Sequence, residues 1–285
     1  MLAGIAFFLF LFFIFFSAPV NFPIGTFFTI EQGESLREVS LNLKEKHIIR
    51  SRTAFEALVI LYGGERRIMY SDYFFDMRLS VFEVARRIAR GERNITQLKV
   101  TIPEGLNNSE IAEILVEKKL VRFNKNKFLQ DAATKEGYLF PDTYFFLITD
   151  GEGEVLKSMS ENFEKKMASI GSQIFASDKI EKDIVTMASI LEKEAKGDSD
   201  RRIISGILWN RLSISMPLQV DAAMQTYKER GLPKSPIGNP GMEALLAAIN
   251  PQKSSYLYYL HDKSGNVHYA KTFSEHLQNK SKYLH

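Results

Sequence analysis

The first half of the chain contains an internal repeat. The run Thr29-Ile30-Glu31-Gln32-Gly33 recurs 72 residues later as Thr101-Ile102-Pro103-Glu104-Gly105. The similarity continues at this offset without a gap: Glu38 matches Glu110, Val39 matches Ile111, Leu43 matches Leu115, Glu45-Lys46 matches Glu117-Lys118, and Ile48-Ile49-Arg50 matches Leu120-Val121-Arg122. Because self-similarity at a fixed period marks a duplicated supersecondary unit, we expect the same small fold twice in this region.

Each copy of the repeat predicts a short strand, a glycine turn and an amphipathic helix. Ser35 and Glu38 have the spacing of a capping box, and Asn107 or Asn108 can cap the second helix. Apolar residues follow at helical spacing in both copies: Leu36, Val39 and Leu43 in the first, and Ile111, Ala112 and Leu115 in the second. An aromatic run follows each copy, at 72–75 and 142–146. Two such modules could bind a linear polymer along paired surfaces or serve only as packing units, and the repeat leaves both interpretations open.

The N-terminal segment predicts a membrane anchor. Residues 2–20 are 19 uncharged and mostly apolar residues, and the first charged side chain of the chain is that of Glu31. As a helix, such a segment spans about 28 Å, close to the hydrocarbon thickness of a bilayer. A secretory signal peptide is one alternative, but it has a basic region before a shorter apolar core, and no Lys or Arg precedes this segment. A buried core helix is the other, although the lack of a polar stripe favours lipid.

Composition excludes several classes of function. The chain has 285 residues, of which 45% are hydrophobic and 25% charged, as in ordinary globular proteins. It has no cysteine, which excludes disulfides, thiolate nucleophiles and Cys-ligated metal centres. The net charge of +3 does not favour a nucleic-acid partner, because phosphate binding needs a clustered basic face.

A helix predicted over 183–196 carries the catalytic candidate. On a helical wheel, Glu194 falls beside Met187 and Ile190, whereas Glu192 falls on the opposite shoulder. Residues two apart on a helix do not converge, so Glu192 and Glu194 are not a carboxylate pair acting on one bond. Glu194 has the bulkier apolar flank, and burial favours the protonated form that a general acid needs. From this pattern alone, a solvated surface carboxylate remains the alternative.

Five segments resemble the signature segments of one family, in the same order. They are EGYLFPDTY at 136–144, ASILEKE at 188–194, NRL at 210–212, LQVD at 218–221 and LPKSPIGNPG at 232–241. The family is that of the YceG-like (MltG) endolytic murein transglycosylases. The resemblance extends from about Phe28 to the C-terminus, which is nearly the whole chain beyond the predicted anchor.

The resemblance implies an α+β protein with three parts. These are a transmembrane anchor at 1–21, a LysM-like subdomain at 27–97 and a mixed α+β catalytic domain at 98–285, in which 98–146 contains a second LysM-like repeat unit. It further implies a single-pass protein of the cell (inner) membrane, with its N-terminus in the cytoplasm and its catalytic domain extracytoplasmic. The expected partners are peptidoglycan glycan strands, the membrane and peptidoglycan synthases, with no nucleic acid.

The implied reaction is endolytic cleavage of the bond between N-acetylmuramic acid and N-acetylglucosamine in nascent glycan strands, which would end their elongation. The catalytic glutamate of the family corresponds to Glu194. Protonated, it would donate to the glycosidic oxygen; as a carboxylate, it would then take the proton of the muramoyl C6 hydroxyl and so close a 1,6-anhydro ring. Most glycosidases need two carboxylates, whereas this reaction needs one, and it needs neither a metal nor a cofactor.

Two other functions stay open alongside this one. A hydrolytic muramidase on the same scaffold would use water in place of the C6 hydroxyl, and its product would be heavier by one water. A non-catalytic peptidoglycan-binding scaffold would position synthases without any turnover.

The resemblance also implies a set of substrate-binding residues: Glu136, Tyr138, Asp142, Tyr144, Asn210, Arg211, Gln219, Asp221 and Asn239. Structural alternatives exist for each group. The segment 136–144 could instead form a turn that fixes the chain. Asn210 and Arg211 are expected just after an apolar helix, where they could orient N-acetyl groups or cap the helix. Gln219 and Asp221 are expected to share one face of a strand, and Asn239 could be a turn residue.

The chain departs from the family pattern in one segment. Asp221 is followed by Ala222-Ala223, where the family usually has Pro-Thr, and a longer family segment ending in Tyr-Asn-Thr-Tyr is reduced to Met224–Tyr227. We expect one wall of the groove to be shortened. Near the C-terminus, 265–269 and 272–276 resemble the closing motif of the family. His268 and His276 with Glu275 are only a weak metal candidate, because their spacing is not that of His-Glu-x-x-His.

Overall fold

The structure is a computed structural model that describes residues 15–63, 68–194 and 198–284. The chain divides into two compact units, with the boundary between Thr96 and Gln97. The architecture is α+β, as predicted. The described strands form three two-stranded antiparallel sheets, and helices make up the larger share of the regular structure.

The first unit is built on a two-stranded sheet covered by helices. Its elements are β1 (Thr26–Ile30), α1 (Leu36–Glu45), α2 (Arg52–Leu61), β2 (Ser71–Phe75) and α3 (Val81–Arg90). The strands β1 and β2 place Phe28 opposite Tyr73, and both rings are buried. Apolar residues of the three helices, including Val39, Phe55 and Val84, complete this core. Burial of the amphipathic faces therefore stabilises helices that are only ten residues long.

The second unit begins with the same order of elements. They are β3 (Gln97–Thr101), α4 (Asn108–Glu117), α5 (Lys125–Asp131) and β4 (Thr143–Leu147). The strands β3 and β4 place Val100 opposite Tyr144, the positions that correspond to Phe28 and Tyr73 of the first unit. The sequence repeat thus corresponds to a repeated arrangement of strand, turn, two helices and strand. Its LysM-like character stays a prediction.

Reciprocal caps start the equivalent helices of the two copies. Ser35 and Glu38 form the predicted capping box at the start of α1. Asn107, rather than Asn108, caps α4, and it forms a box with Glu110. The Asn108 side chain is buried and donates to a backbone carbonyl of the loop after α5.

The rest of the second unit surrounds one central helix. Its elements are α6 (Glu152–Ser169), α7 (Gly171–Ala176), α8 (Glu181–Glu194), α9 (Asp198–Ser213), a 3₁₀ turn (Met224–Tyr227), α10 (Met242–Ile249), β5 (Tyr258–His261), β6 (Val267–Ala270) and α11 (Phe273–Tyr283). Every residue of α8 from Ile184 to Leu191 is buried, and α9 and α10 pack against it. The helix predicted over 183–196 agrees with α8 as far as Glu194, and residues 195–197 lie outside the described residues.

The predicted membrane anchor falls largely on residues that the structure does not describe, since the description starts at Phe15. Among the described helices, none combines the length and the hydropathy needed to cross a bilayer. The anchor and its orientation stay predictions.

Candidate active site

Glu194 is the last residue of α8, and it lines a cavity of about 490 Å³. Its Oε1 accepts a hydrogen bond from the backbone N–H of Ala222 at 3.2 Å, and its Oε2 accepts one from the hydroxyl of Tyr259 at 3.1 Å. The side chain is partly buried. The carboxyl group is therefore held by one donor on each oxygen while it remains accessible from the cavity.

Glu192 has different hydrogen-bond partners from Glu194. It accepts hydrogen bonds from the Arg201 guanidinium at 3.2 Å and from the backbone N–H of Gly241 at 2.8 Å, and 7% of its side chain is exposed. Glu192 does not line the cavity that Glu194 lines. The two carboxylates diverge, as their helical spacing predicts.

The cavity combines charged side chains with aromatic rings. Besides Glu194, its lining includes Arg211, Gln219, Asp221, Tyr227, Tyr258, Tyr259, His261, Phe273, His276 and Lys280. A concave surface with several rings and a few convergent polar groups is typical of a small-molecule or polymer-binding site. Of the predicted site residues, the structure brings Glu194, Arg211, Gln219 and Asp221 together here.

Gln219 and Asp221 lie on a loop, so the predicted strand is wrong. Leu218 and Val220 are buried and alternate with the two exposed polar residues, as expected, but no described strand pairs with the segment. Instead, Gln219 has a left-handed backbone with a φ of +50°, and Thr226 binds the loop through its carbonyl and hydroxyl oxygens. Left-handed backbone at a non-glycine residue is uncommon and clusters at functional sites.

Asp221 accepts a hydrogen bond from the hydroxyl of Tyr227 at 2.5 Å. This bond is the main reason why the pKa of Tyr227 is raised to about 12. Tyr227 belongs to the 3₁₀ turn that stands where the family has a longer segment. The shortened segment therefore still contributes an aromatic ring to the cavity wall.

Arg211 lies within α9, not after a helix as expected. Its Nε donates to the Leu257 carbonyl at 2.6 Å, and a second guanidinium nitrogen donates to the Leu218 carbonyl. Burial lowers the pKa of this guanidinium. Asn210, also within α9, donates to the Ser254 carbonyl at 2.9 Å and does not line the cavity. Both side chains thus connect the last turn of α9 to neighbouring loops and hold those loops in place.

Five predicted substrate-binding residues lie away from the cavity: Glu136, Tyr138, Asp142, Tyr144 and Asn239. Asn239 is fully buried, accepts from the Leu139 N–H at 2.9 Å and donates to the Leu106 carbonyl at 3.0 Å. Asn239 thus joins two segments of the chain, and a groove formed by 136–144 stays a prediction.

Three other members of this group also contact residues of the second unit. The Tyr144 hydroxyl donates to the Phe140 carbonyl at 2.6 Å, and burial raises its pKa to about 12. Asp142 accepts from the side-chain amide of Asn162 at 3.1 Å. The ring of Tyr138 packs edge-on against Phe163.

Sequence reasoning missed the aromatic residues after position 255. Tyr258 and Tyr259 come from β5, and Phe273 and His276 come from α11. Tyr259 is the direct partner of Glu194. The cluster of tyrosines at 256–259 was the one sequence signal for an aromatic site. No local pattern relates Tyr259 to Glu194, which lies 65 positions earlier.

The histidines considered for a metal have other partners. His268 Nε2 lies 2.9 Å from an Asp262 oxygen, and its ring stacks on Tyr283. The ring of His276 stacks on Tyr258. Within the described residues, no group of three or more His, Asp or Glu side chains is arranged to hold a metal ion.

The fold and this cavity define an α+β protein with a glutamate in a cavity lined by aromatic and polar groups. Each oxygen of that glutamate accepts one hydrogen bond. The model of the YceG-like family matches residues 28–225 and 224–282, and the chain belongs to this family.

Curated relatives and a solved structure resemble the chain over most of its length. An endolytic murein transglycosylase of Bacillus subtilis is 27% identical over 90% of this chain and 84% of its own. One of Streptococcus pneumoniae is 23% identical over 90% of this chain, which spans only 58% of that relative. A crystal structure of a YceG-like protein from Listeria monocytogenes matches with a TM-score of 0.59 and 25% identity, over 89% of this chain and 99% of the other.

Proposed function

We propose that this protein is an endolytic lytic transglycosylase that cleaves peptidoglycan glycan strands between N-acetylmuramic acid and N-acetylglucosamine. Membership of the YceG-like family and the names of the relatives support this activity. The observation that carries it is the position of Glu194: its carboxyl group is fixed by two donors and lines the cavity.

The proposed reaction uses Glu194 first as an acid and then as a base. The protonated carboxyl group gives its proton to the glycosidic oxygen as the bond from that oxygen to the muramoyl C1 breaks. The resulting carboxylate takes the proton of the muramoyl C6 hydroxyl, and the C6 oxygen bonds to C1. One proton is given and one is recovered, so no water is consumed and the glutamate ends as it began.

The remaining polar groups of the cavity are proposed to orient the glycan. Gln219 and Asp221 offer hydrogen-bonding groups at the loop next to Glu194, and Tyr227 offers an aromatic ring. Sugar rings have apolar faces that pack on aromatic rings and hydroxyls that bind polar side chains. A cavity about 490 Å³ in volume is within the range of ligand sites.

The proposal includes the location of the protein in the cell. We infer a single-pass anchor at 2–20, with the catalytic unit on the extracytoplasmic side, where glycan strands are polymerised. Because nascent strands are held by the synthases that make them, peptidoglycan synthases in the same membrane are candidate partners.

The test is product analysis with purified glycan strands. We expect wild-type protein to release fragments ending in 1,6-anhydro-muramic acid, lighter by one water than hydrolytic products. The Glu194→Gln variant should lose about 10²-fold or more of this rate, because an amide cannot donate the proton. Mass spectrometry of the products measures both effects.

A matched control is Glu161→Gln, which changes an exposed glutamate of α6 that does not line the cavity. It should keep the wild-type rate. Products heavier by one water would favour a muramidase, and unchanged turnover by Glu194→Gln would remove Glu194 from the reaction. A wild-type protein that binds strands but never cleaves them would favour the scaffold function.

A further inference from the structure

We propose that Tyr259 is a positioning residue of the reaction, whose hydroxyl holds the Glu194 carboxyl group in place together with the backbone N–H of Ala222. This inference rests on the proposed function of Glu194 and assigns a role to a second side chain of the same site.

The geometry gives each carboxyl oxygen its own donor. Tyr259 reaches Oε2 from strand β5, and Ala222 reaches Oε1 from the loop before the 3₁₀ turn. The two donors come from segments that are distant in sequence and approach the end of α8 independently. Because a carboxyl group bonded at one oxygen can still rotate, the second donor is what fixes its plane.

Tyr259 remains a donor throughout the working pH range. Burial, and then the charge of Glu194, raises the pKa of its hydroxyl well above 10. The other titratable side chains around the cavity are Arg211, Asp221, Tyr227, Tyr258, His261, His276 and Lys280. Within the described residues, none of them makes a hydrogen bond to Glu194, whose side-chain partners are Tyr259 and Ala222.

The two donors act on the charge that develops during proton donation. As the O–H bond of Glu194 breaks and a new one forms on the glycosidic oxygen, negative charge appears on the carboxyl group. Fixed donors aimed at that charge stabilise the transition state without reorganisation. A hydrogen bond to a charged group is stronger than one between neutral groups, so the Tyr259 hydroxyl contributes most when the proton has left.

The experiment compares Tyr259→Phe with Tyr269→Phe in the full chain. Tyr269 lies opposite Tyr259 in β6, and its hydroxyl donates to an Asp200 oxygen at 2.7 Å. Tyr269→Phe therefore removes the same kind of bond from the same sheet without touching Glu194. Thermal melting of both variants checks that each is folded.

We expect kcat of Tyr259→Phe on glycan strands to fall about tenfold, as for one lost charge-assisted hydrogen bond, with KM little changed. Without this donor, the negative charge that develops on the carboxyl group is less stabilised in the transition state. Tyr269→Phe should keep the wild-type kcat.

A Tyr259→Phe variant that keeps the wild-type kcat would overturn the positioning role, as would an equal fall in kcat for Tyr269→Phe. A fall in rate through KM alone would assign Tyr259 to glycan binding and overturn it too. If wild-type protein forms no anhydro product, the proposed function fails, and this inference fails with it.

Discussion

Glu136 is a partly buried glutamate of the second unit. Its Oε2 accepts the backbone N–H of Asn108 at 3.2 Å, and its Oε1 lies 3.4 Å from the Asn239 side-chain nitrogen. Burial is the main reason why the pKa of Glu136 is raised. A carboxyl group with a higher pKa in the folded than in the unfolded state favours folding while it is protonated, and this contribution is lost as the pH rises through the folded pKa.

We therefore expect Glu136→Gln to reduce the pH dependence of stability. As the pH rises from about 4.5 to about 7.5, the free energy of unfolding of wild-type protein should fall relative to that of the variant. Urea denaturation at both pH values measures this difference. The exposed Glu161→Gln variant is the control and should keep the wild-type slope. Parallel curves for wild-type protein and Glu136→Gln would contradict the raised pKa of this partly buried carboxyl group.

The two copies of the repeat use the same glycine turn in different surroundings. Gly33 and Gly105 both have a positive φ, of +92° and +80°. A Cβ atom at Gly33 would meet no other atom within 4 Å, whereas one at Gly105 would lie 3.2 Å from Cγ of Glu192. The turn of the second copy thus contacts α8, the helix that carries Glu194. The contact is with Glu192, which accepts hydrogen bonds from Gly241 and Arg201.

Alanine at these two positions should have unequal effects. Gly33→Ala should cost about 1–2 kcal/mol, the strain of a left-handed backbone. Gly105→Ala should cost more, because Glu192 must also move away from its buried partners. Thermal unfolding followed by circular dichroism measures both. Gly153→Ala in the first turn of α6 is the control, because that glycine has no positive φ and open space around it, and equal losses at 33 and 105 would contradict the contact with Glu192.

At the same scale, the sequence predicted what depends on near neighbours. The capping box at Ser35, the glycine turns and the divergence of Glu192 from Glu194 follow from spacings of two to four residues. The strand prediction at 218–221 is wrong although the burial alternates as expected, because no strand in the described part of the chain pairs with this segment and Gln219 has a left-handed backbone. Periodicity describes which side chains are buried, but it does not show how the backbone is bonded.

At the scale of the whole molecule, the site depends on contacts between distant segments. The bond from Tyr259 to Glu194 and the one from Leu139 to Asn239 join residues 65 and 100 positions apart. No local pattern encodes such pairs, so Glu194 could be selected from the resemblance while its partner could not. For the same reason, the sequence could not show that Glu136, Tyr138, Asp142, Tyr144 and Asn239 do not line the cavity that Glu194 lines.

The orientation proposed for the whole molecule can be tested because the chain has no cysteine. A single Ser264→Cys substitution in the exposed β5–β6 turn gives the catalytic unit one thiol, and a cysteine in a tag ahead of Met1 marks the other end. In intact cells or spheroplasts, a membrane-impermeant maleimide should label Ser264→Cys, but label the tag only after lysis. Wild-type protein, without a thiol, gives the background.

The anchor itself is tested on the same samples. A spanning helix resists extraction by alkaline carbonate, because about 19 apolar residues are held in the hydrocarbon core, and detergent should release it. Labelling of the tag but not of Ser264→Cys in intact cells would reverse the orientation and place the catalytic unit away from its proposed substrate. Release by carbonate would contradict the anchor while leaving the chemistry of Glu194 to its own test, since purified strands are cleaved or not without any membrane.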